Sequence, residues 1–278
     1  MTQRGPHERG TVSQLRLDLA AFRDGVLEGA GLAAGDVVVL DVGCGTGLIG
    51  FGALDRLGPD GRVIFVMSHW MCSTSAGAPP VATGGAADLA GIADASVDVV
   101  TTRSVLIYSD RKASAFAEFF RVLRPGGRIS LFEPINGFVE QLRPDDLFGM
   151  GDSPVNDLIA KVRDVYRGTT EETTRPMMDF DERDLVGWAV TAGFEAVELD
   201  YRAQVDVPAD PIWDSETLKC VAPNPRLPTY GEAIVAALTD DERERLDTYM
   251  NALAAAGTPT RRTMATAFLR ARRPHWHR

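Results

Sequence analysis

An α/β protein built on a doubly wound parallel sheet is the fold this sequence predicts, and three observations lead there. Val37-Val38-Val39-Leu40 is a continuous apolar run, which suits a strand buried on both faces. A glycine-rich turn follows it directly and opens into a short helix. Strand-like and helix-like segments then alternate as far as Phe132, the order that right-handed crossovers produce.

Taken in order, Leu15, Leu19, Phe22, Val26 and Ala30 recur at three- and four-residue steps, so Thr11 to Leu32 reads as an amphipathic helix. The helix after the glycine turn runs to about Leu57, where Gly58-Pro59-Asp60-Gly61 stops it. Arg62 to Val66 and Val97 to Thr102 read as strands. Phe116, Phe119, Phe120 and Leu123 mark one helix face, and Arg124-Pro125-Gly126-Gly127 ends that helix before a strand at Arg128 to Phe132. Beyond it the pattern loosens. Ile135 to about Pro176 is a partly helical insertion. Asp181 caps a helix carrying Leu185, Trp188 and Ala192 that Gly193 ends, and Phe194 to Tyr201 is a strand. Five prolines make Ala203 to Tyr230 a loop or lid. Thr239 and Glu242 form a capping box for a helix bearing Leu246, Tyr249 or Met250, and Leu253, and Thr263 to Arg270 is the last strand. The reading is one domain over residues 1–278, with a core at about 11–134 and insertions at about 135–180 and 203–258 that cover a site.

With 278 residues, 45% of them apolar, the chain buries a real core. No apolar run approaches a membrane-spanning length, and the polar opening residues argue against a secretory signal. Three cysteines do not make a disulfide scaffold and point to a reducing cytoplasm. A net charge of −10 disfavours nucleic acid as a partner. The expectation is a cytoplasmic enzyme with a small-molecule substrate, no membrane partner, and an assembly left open, a homodimer included.

Asp41-Val42-Gly43-Cys44-Gly45-Thr46-Gly47 lies between the first buried strand and its helix. Glycines reach positive φ and let a ligand approach the backbone, and the helix start leaves free N–H donors. The spacing is not that of the dinucleotide fingerprint, because Leu48 stands at the last glycine position. A carboxylate this close repels a pyrophosphate and suits a cationic ligand.

On this loop, on Asp94-Ala95-Ser96-Val97-Asp98-Val99-Val100, on Arg121-Val122-Leu123-Arg124-Pro125-Gly126-Gly127, and on Ile129 to Pro134, the sequence resembles the class I S-adenosylmethionine-dependent methyltransferases. It is similar to their small-molecule branch, which includes quinone-biosynthesis C-methyltransferases, over most of residues 36–134. The resemblance implies a Rossmann-like seven-stranded sheet whose last strand runs antiparallel, and S-adenosylmethionine as cofactor. It places Asp41, Gly43, Cys44, Gly45, Thr46 and Gly47 at the methionine end of that cofactor, and Thr102 and Arg103 beneath it.

One position departs from the family. Its second strand ends in an acid that holds the ribose hydroxyls, and here Met67 follows Val66. The adenine-side acid falls near Gly85 and Ala86, with Asp88 close by. Ser68 to Thr83 lacks the family's helical periodicity. Two accounts stay open. In one, a local shift of reading frame has replaced an acidic, helical segment; codons compatible with Met67 to Cys72 read in a neighbouring frame as Asp-Glu-Pro-Leu-Asp-Val. In the other, the chain has diverged and lost methyl transfer, leaving a cyclase, an isomerase or a protein that binds no cofactor.

Tyr108 and Glu133, at strand ends facing the expected site, are the candidate substrate-side residues, although Glu133 reads equally as a solvated strand end. Of His7, His69, His275 and His277, none makes a convincing base. Cys44, Cys72 and Cys220 admit thiolate capture of a metalloid as a minor reading, and no spacing matches a metal site.

Overall fold

The computed structural model describes residues 19–33, 35, 38–67, 81–145, 147–168, 175–209, 219–220, 222 and 227–275. The start of the first expected helix, the anomalous stretch 68–80, His7, His69, Cys72, Trp213 and His277 lie outside them. Two compact units emerge. One holds Asp18–Ile135, Asp179–Arg202 and Ala265–Arg278; the other takes in Asn136–Met178 and Ala203–Met264.

In chain order the elements are α1 (residues 19–30), β1 (Val38–Val42), α2 (Leu48–Leu54), β2 (Arg62–Met67), β3 (Val81–Thr83), β4 (Val97–Arg103), a 3-10 turn (Leu106–Tyr108), α3 (Lys112–Val122) and β5 (Leu123–Pro134). They continue with α4 (Asn136–Leu142), α5 (Asn156–Arg167), a 3-10 turn (Arg175–Met177), α6 (Glu182–Ala192), β6 (Glu195–Ala209), α7 (Tyr230–Ala237), α8 (Asp240–Ala255) and β7 (Thr260–Arg272). The sheet order is β3-β2-β1-β4-β5-β7-β6. β1 pairs in parallel with β2 on one side and β4 on the other, which explains why every residue of Val38–Val42 is buried. β4 pairs in parallel with β5, and β7 lies antiparallel against β5, with Phe132 opposite Phe268.

One face of the sheet is sealed by Val26, Leu27 and Ala30 of α1 and Ile49 and Ala53 of α2, packed on Val39, Val99 and Phe132. Phe22 stacks on Phe132 at 4.4 Å between ring centroids. α3 buries Ala115, Phe116, Phe119 and Val122, while Phe120 turns aside to meet Phe194 edge-on at 5.3 Å.

Several boundaries differ from the sequence reading. α2 stops at Leu54 rather than Leu57. β5 starts at Leu123 and absorbs Pro125-Gly126-Gly127, expected as a turn, because the register skips from Val97–Leu123 to Val99–Arg128 and Gly126 takes φ +80°. β7 anchors that bulge: the Gly126 N–H donates to the Arg273 carbonyl at 2.9 Å and the Arg273 N–H to Gly127 at 2.7 Å. β6 runs on to Ala209, past the expected end at Tyr201 and through Pro208, which an outermost strand tolerates. β7 is longer than expected at both ends.

The second unit has its own apolar centre, formed by Leu158, Ile159 and Val162 of α5, Ala233 and Ile234 of α7, and Leu246 and Met250 of α8. Thr239 and Glu242 cap α8 reciprocally as expected. Thr229 and Glu232 do the same for α7, in a stretch that the prolines had marked as loop. Among the described residues no helix is long and apolar enough to cross a membrane.

Candidate functional site

The carboxyl ends of β1, β2 and β4 and the loops that follow them carry the residues singled out in the sequence. Gly43, Gly45 and Gly47 all have positive φ, at +69°, +51° and +83°. The loop is tied down at its flanks. Gly43 and Cys44 both donate to the Val66 carbonyl, at 2.8 and 3.1 Å, and Gly47 donates to Cys44 at 2.7 Å. A methyl group on Gly43 would overlap Val105, and one on Gly47 would lie 2.5 Å from the Phe51 ring.

Gly45 is the exception. Among the described residues a methyl group there would meet only the Gly43 carbonyl, at 4.0 Å, so they leave its flank open. Among the described residues the Gly45 and Thr46 N–H groups have no hydrogen-bond partner. An open flank with free donors at a helix start is the cradle that a bound cofactor requires.

Asp41 faces inward and is 1% exposed. Its Oδ2 accepts the Gly50 N–H at 2.9 Å and its Oδ1 the Thr101 hydroxyl at 3.3 Å, so it joins β1 to α2 and β4. Burial raises its pKa to about 7, against the pull of those bonds and of Arg103. Thr102, the next residue of β4, has a buried hydroxyl without a partner among the described residues. Met67 ends β2 half-buried, and its carbonyl accepts the Gly84 N–H at 3.1 Å. Gly85 bridges to Asp88, with no described residue within 4 Å of a methyl group placed on it, and Ala86 is buried. Cys44 is buried and Cys220 exposed. His275 packs against Gly126, at the opposite end of β5 from Glu133.

Glu133 corrects the reading of a solvated strand end: it is 0% exposed. Its Oε1 accepts the N–H groups of Val105 and Leu106 at 2.9 Å each, and Oε2 accepts that of Ile107 at 3.2 Å. Burial pushes its pKa up to about 7, opposed by the three N–H donors and by Lys112. Glu133 therefore braces the 3-10 turn that presents Tyr108. The half-buried Tyr108 hydroxyl is held above its usual pKa by burial and by Glu133, with Arg103 acting the other way.

Sequence reasoning passed over Lys112. It is buried in the first turn of α3, donating to Asp179 at 2.6 Å and to the Ser109 carbonyl at 2.8 Å, with its ammonium 5.0 Å from the centre of the Phe180 ring. A lysine in a first helical turn reads as solvated, and nothing local marks it otherwise. Among the described residues no cluster of His, Cys, Asp and Glu is arranged to hold a metal.

A parallel sheet with a glycine loop at its first strand, closed by an antiparallel strand against β5, defines a Rossmann-like α/β fold. Residues 40–131 match the methyltransferase domain family. The chain is 33% identical to an arsenite methyltransferase of Halobacterium salinarum, over 64% of this chain and 53% of that protein. It is also 33% identical to the ubiquinone/menaquinone biosynthesis C-methyltransferase UbiE of Klebsiella pneumoniae, over 38% of this chain and 42% of that one. It thus spans about half the length, or less, of these relatives. In fold it is similar to the YcgJ protein of Bacillus subtilis, at a TM-score of 0.50 and 17% identity, covering 92% of this chain and 99% of that one. The cofactor of this domain class is S-adenosylmethionine, and the open flank of Gly45 and the unpartnered Thr102 hydroxyl fit a bound nucleoside.

Proposed function

We propose that this protein transfers a methyl group to a small organic molecule in the cytoplasm. The observation that carries the reading is the loop 43–47, held rigid at both flanks and open at Gly45. S-adenosylmethionine supplies an activated methyl group on a sulfonium. The chain's own part is to bind and orient: Gly43 to Gly47 line the methionine end, Asp41 holds the loop's helix in place, Met67 lies at the ribose, Gly85 and Ala86 flank the base, and Thr102 lies beneath. Orientation alone lowers the barrier of such a displacement by about 7–11 kcal/mol at best.

A calorimetric titration with S-adenosylhomocysteine tests it, and binding that Gly45→Val abolishes without unfolding the protein is the expected result. No binding to the wild type rejects the reading. Met67 favours a second reading, in which the fold persists without methyl transfer. Label from the cofactor's methyl group appears in product under the first reading only.

A further inference from the structure

We propose that Arg103 is a specificity residue that reads the negative charge of an acidic hydroxyl acceptor, a phenol or enol bound as its anion. The inference deepens the methyltransferase reading and rests on it. Among the described residues, every arginine that is buried or half-buried has a hydrogen-bond partner except Arg103. Arg121 binds Glu118 and Asp94, Arg124 binds Asp98, Arg128 and Arg273 bind backbone carbonyls, and Arg262 binds Gln204. Arg23, Arg163 and Arg243 are likewise paired. A guanidinium carries five donors, and among the described residues none of Arg103's is taken up or buried away from solvent, so all five stay open to an acceptor that a ligand brings.

The placement is rigid. Arg103 is the last residue of β4 and pairs in register with Phe132. Next to it Ser104 is held at φ +53°, its N–H donating to the Phe132 carbonyl at 2.8 Å. That reversal sends Val105 to Ile107 onto the Glu133 carboxylate and so fixes Tyr108. The Tyr108 hydroxyl also has no hydrogen-bond partner among the described residues, and Arg103 acts electrostatically on both Tyr108 and Asp41. Two unpartnered donors, one cationic, are thus delivered by braced backbone at the carboxyl end of the sheet.

The charge balance favours an anion. A free guanidinium near the place for a sulfonium adds positive charge to positive charge, and an anionic acceptor offsets both. None of the nearby acidic groups is suited to removing a proton: all of Glu133's bonding is spent on backbone, Asp41 is 1% exposed with its oxygens on the Gly50 N–H and the Thr101 hydroxyl, and Tyr108 holds its proton more tightly than usual. The acceptor's proton therefore leaves to solvent before the transfer. In the transfer the acceptor oxygen forms the new bond to the methyl carbon as the carbon–sulfur bond breaks, and that electron pair stays on sulfur as a neutral thioether. Arg103 lowers the cost of holding the ionised acceptor in place.

The cofactor's own carboxylate is the other anion that could take this guanidinium, so the test separates the two. 4-Nitrophenolate and its neutral methyl ether are titrated against the wild type, Arg103→Gln and Arg103→Lys, with S-adenosylhomocysteine titrated against the same samples. The wild type is expected to prefer the anion about tenfold or more, the scale of a charge-assisted hydrogen bond. Arg103→Gln removes the preference, Arg103→Lys keeps part of it, and S-adenosylhomocysteine affinity stays within about twofold, well short of the loss of such a bond. Equal binding of the two probes to the wild type, or no binding of the anion, overturns the proposal without reference to any variant. A retained preference in Arg103→Gln overturns it as well. Loss of S-adenosylhomocysteine affinity in Arg103→Gln overturns it in favour of the cofactor's carboxylate. If the wild type prefers the anion yet binds no S-adenosylhomocysteine, the charge reading stands and the methyltransferase reading is what fails.

Discussion

The Asp41 carboxylate accepts the Gly50 N–H at 2.9 Å, and the α-carbon of Gly50 is also where a side chain would find no room. A methyl group there would overlap the buried Phe65 ring and stand 3.0 Å from that same carboxylate oxygen. The helix after the glycine loop is therefore drawn against the end of β1 by one hydrogen bond and one missing side chain. Gly50→Ala is expected to destabilise the protein by about 1–3 kcal/mol, the usual cost of forcing a methyl group into a packed core. Urea denaturation measures it, and an unchanged midpoint would show that α2 shifts freely.

Glu133 makes a prediction in pH. Burial raises its folded pKa to about 7, above the ordinary 4.5. A carboxyl with a raised folded pKa contributes stability fully below its unfolded pKa, and loses that contribution as pH rises through the folded value. Between pH 4.5 and 7 this group alone removes about 3 kcal/mol, an upper figure that relaxation reduces. Asp41 titrates in the same window with the same sign. Exposed carboxylates such as Asp24 and Glu198, whose pKa values their arginine partners lower, act oppositely and nearer pH 4. Melting curves from pH 5 to 8 should slope downward for the wild type and less steeply for Glu133→Gln. Parallel slopes would mean that Glu133 is ionised across the whole range.

Lys112 is buried, and among the described residues its one ion pair is with the Asp179 carboxylate, at 2.6 Å. Removing that partner leaves a buried ammonium uncompensated, a change that costs about 3–5 kcal/mol when burial is complete. Because Asp179 is itself partly exposed, water reaches the pair and the expected loss for Asp179→Ala is smaller, about 1–2 kcal/mol. The double variant Asp179→Ala with Lys112→Met should recover part of it. A double variant no more stable than the single one would show that the carbonyl of Ser109 and the Phe180 ring already satisfy the ammonium.

The parts of the site that were legible in the sequence are those dictated locally. Val38–Val42 is apolar without alternation, and Gly43, Gly45 and Gly47 occupy conformations that side chains avoid, so strand and loop could be read from residue type alone. Glu133 was not legible, because the N–H groups that bury it come from Val105 to Ile107, brought alongside only by the pairing of β4 with β5. The absorption of Pro125-Gly126 into β5 is likewise decided by Arg273, far along the chain. Thr229 and Glu232 show the opposite case: the capping spacing was present in the sequence, and the neighbouring prolines outweighed it.

Met67 offers the most direct test of how this domain holds its nucleoside. It closes β2, its carbonyl fixed by the Gly84 N–H and its register set opposite Thr83, so a substitution of its side chain leaves the backbone bonds intact. The position is half-buried at the strand's carboxyl end, where a carboxylate is partly hydrated and not expelled. A thioether accepts hydrogen bonds weakly, whereas a carboxylate accepts two from vicinal hydroxyls. Met67→Asp is therefore expected to tighten S-adenosylhomocysteine binding about ten- to hundredfold per bond gained. Met67→Leu, similar in volume and apolar, should change it little. Calorimetry on the three proteins decides the matter. A gain with Asp and none with Leu would mean that the ribose contact was lost at this one residue, while no gain with Asp would mean that the strand end no longer meets the ribose at all.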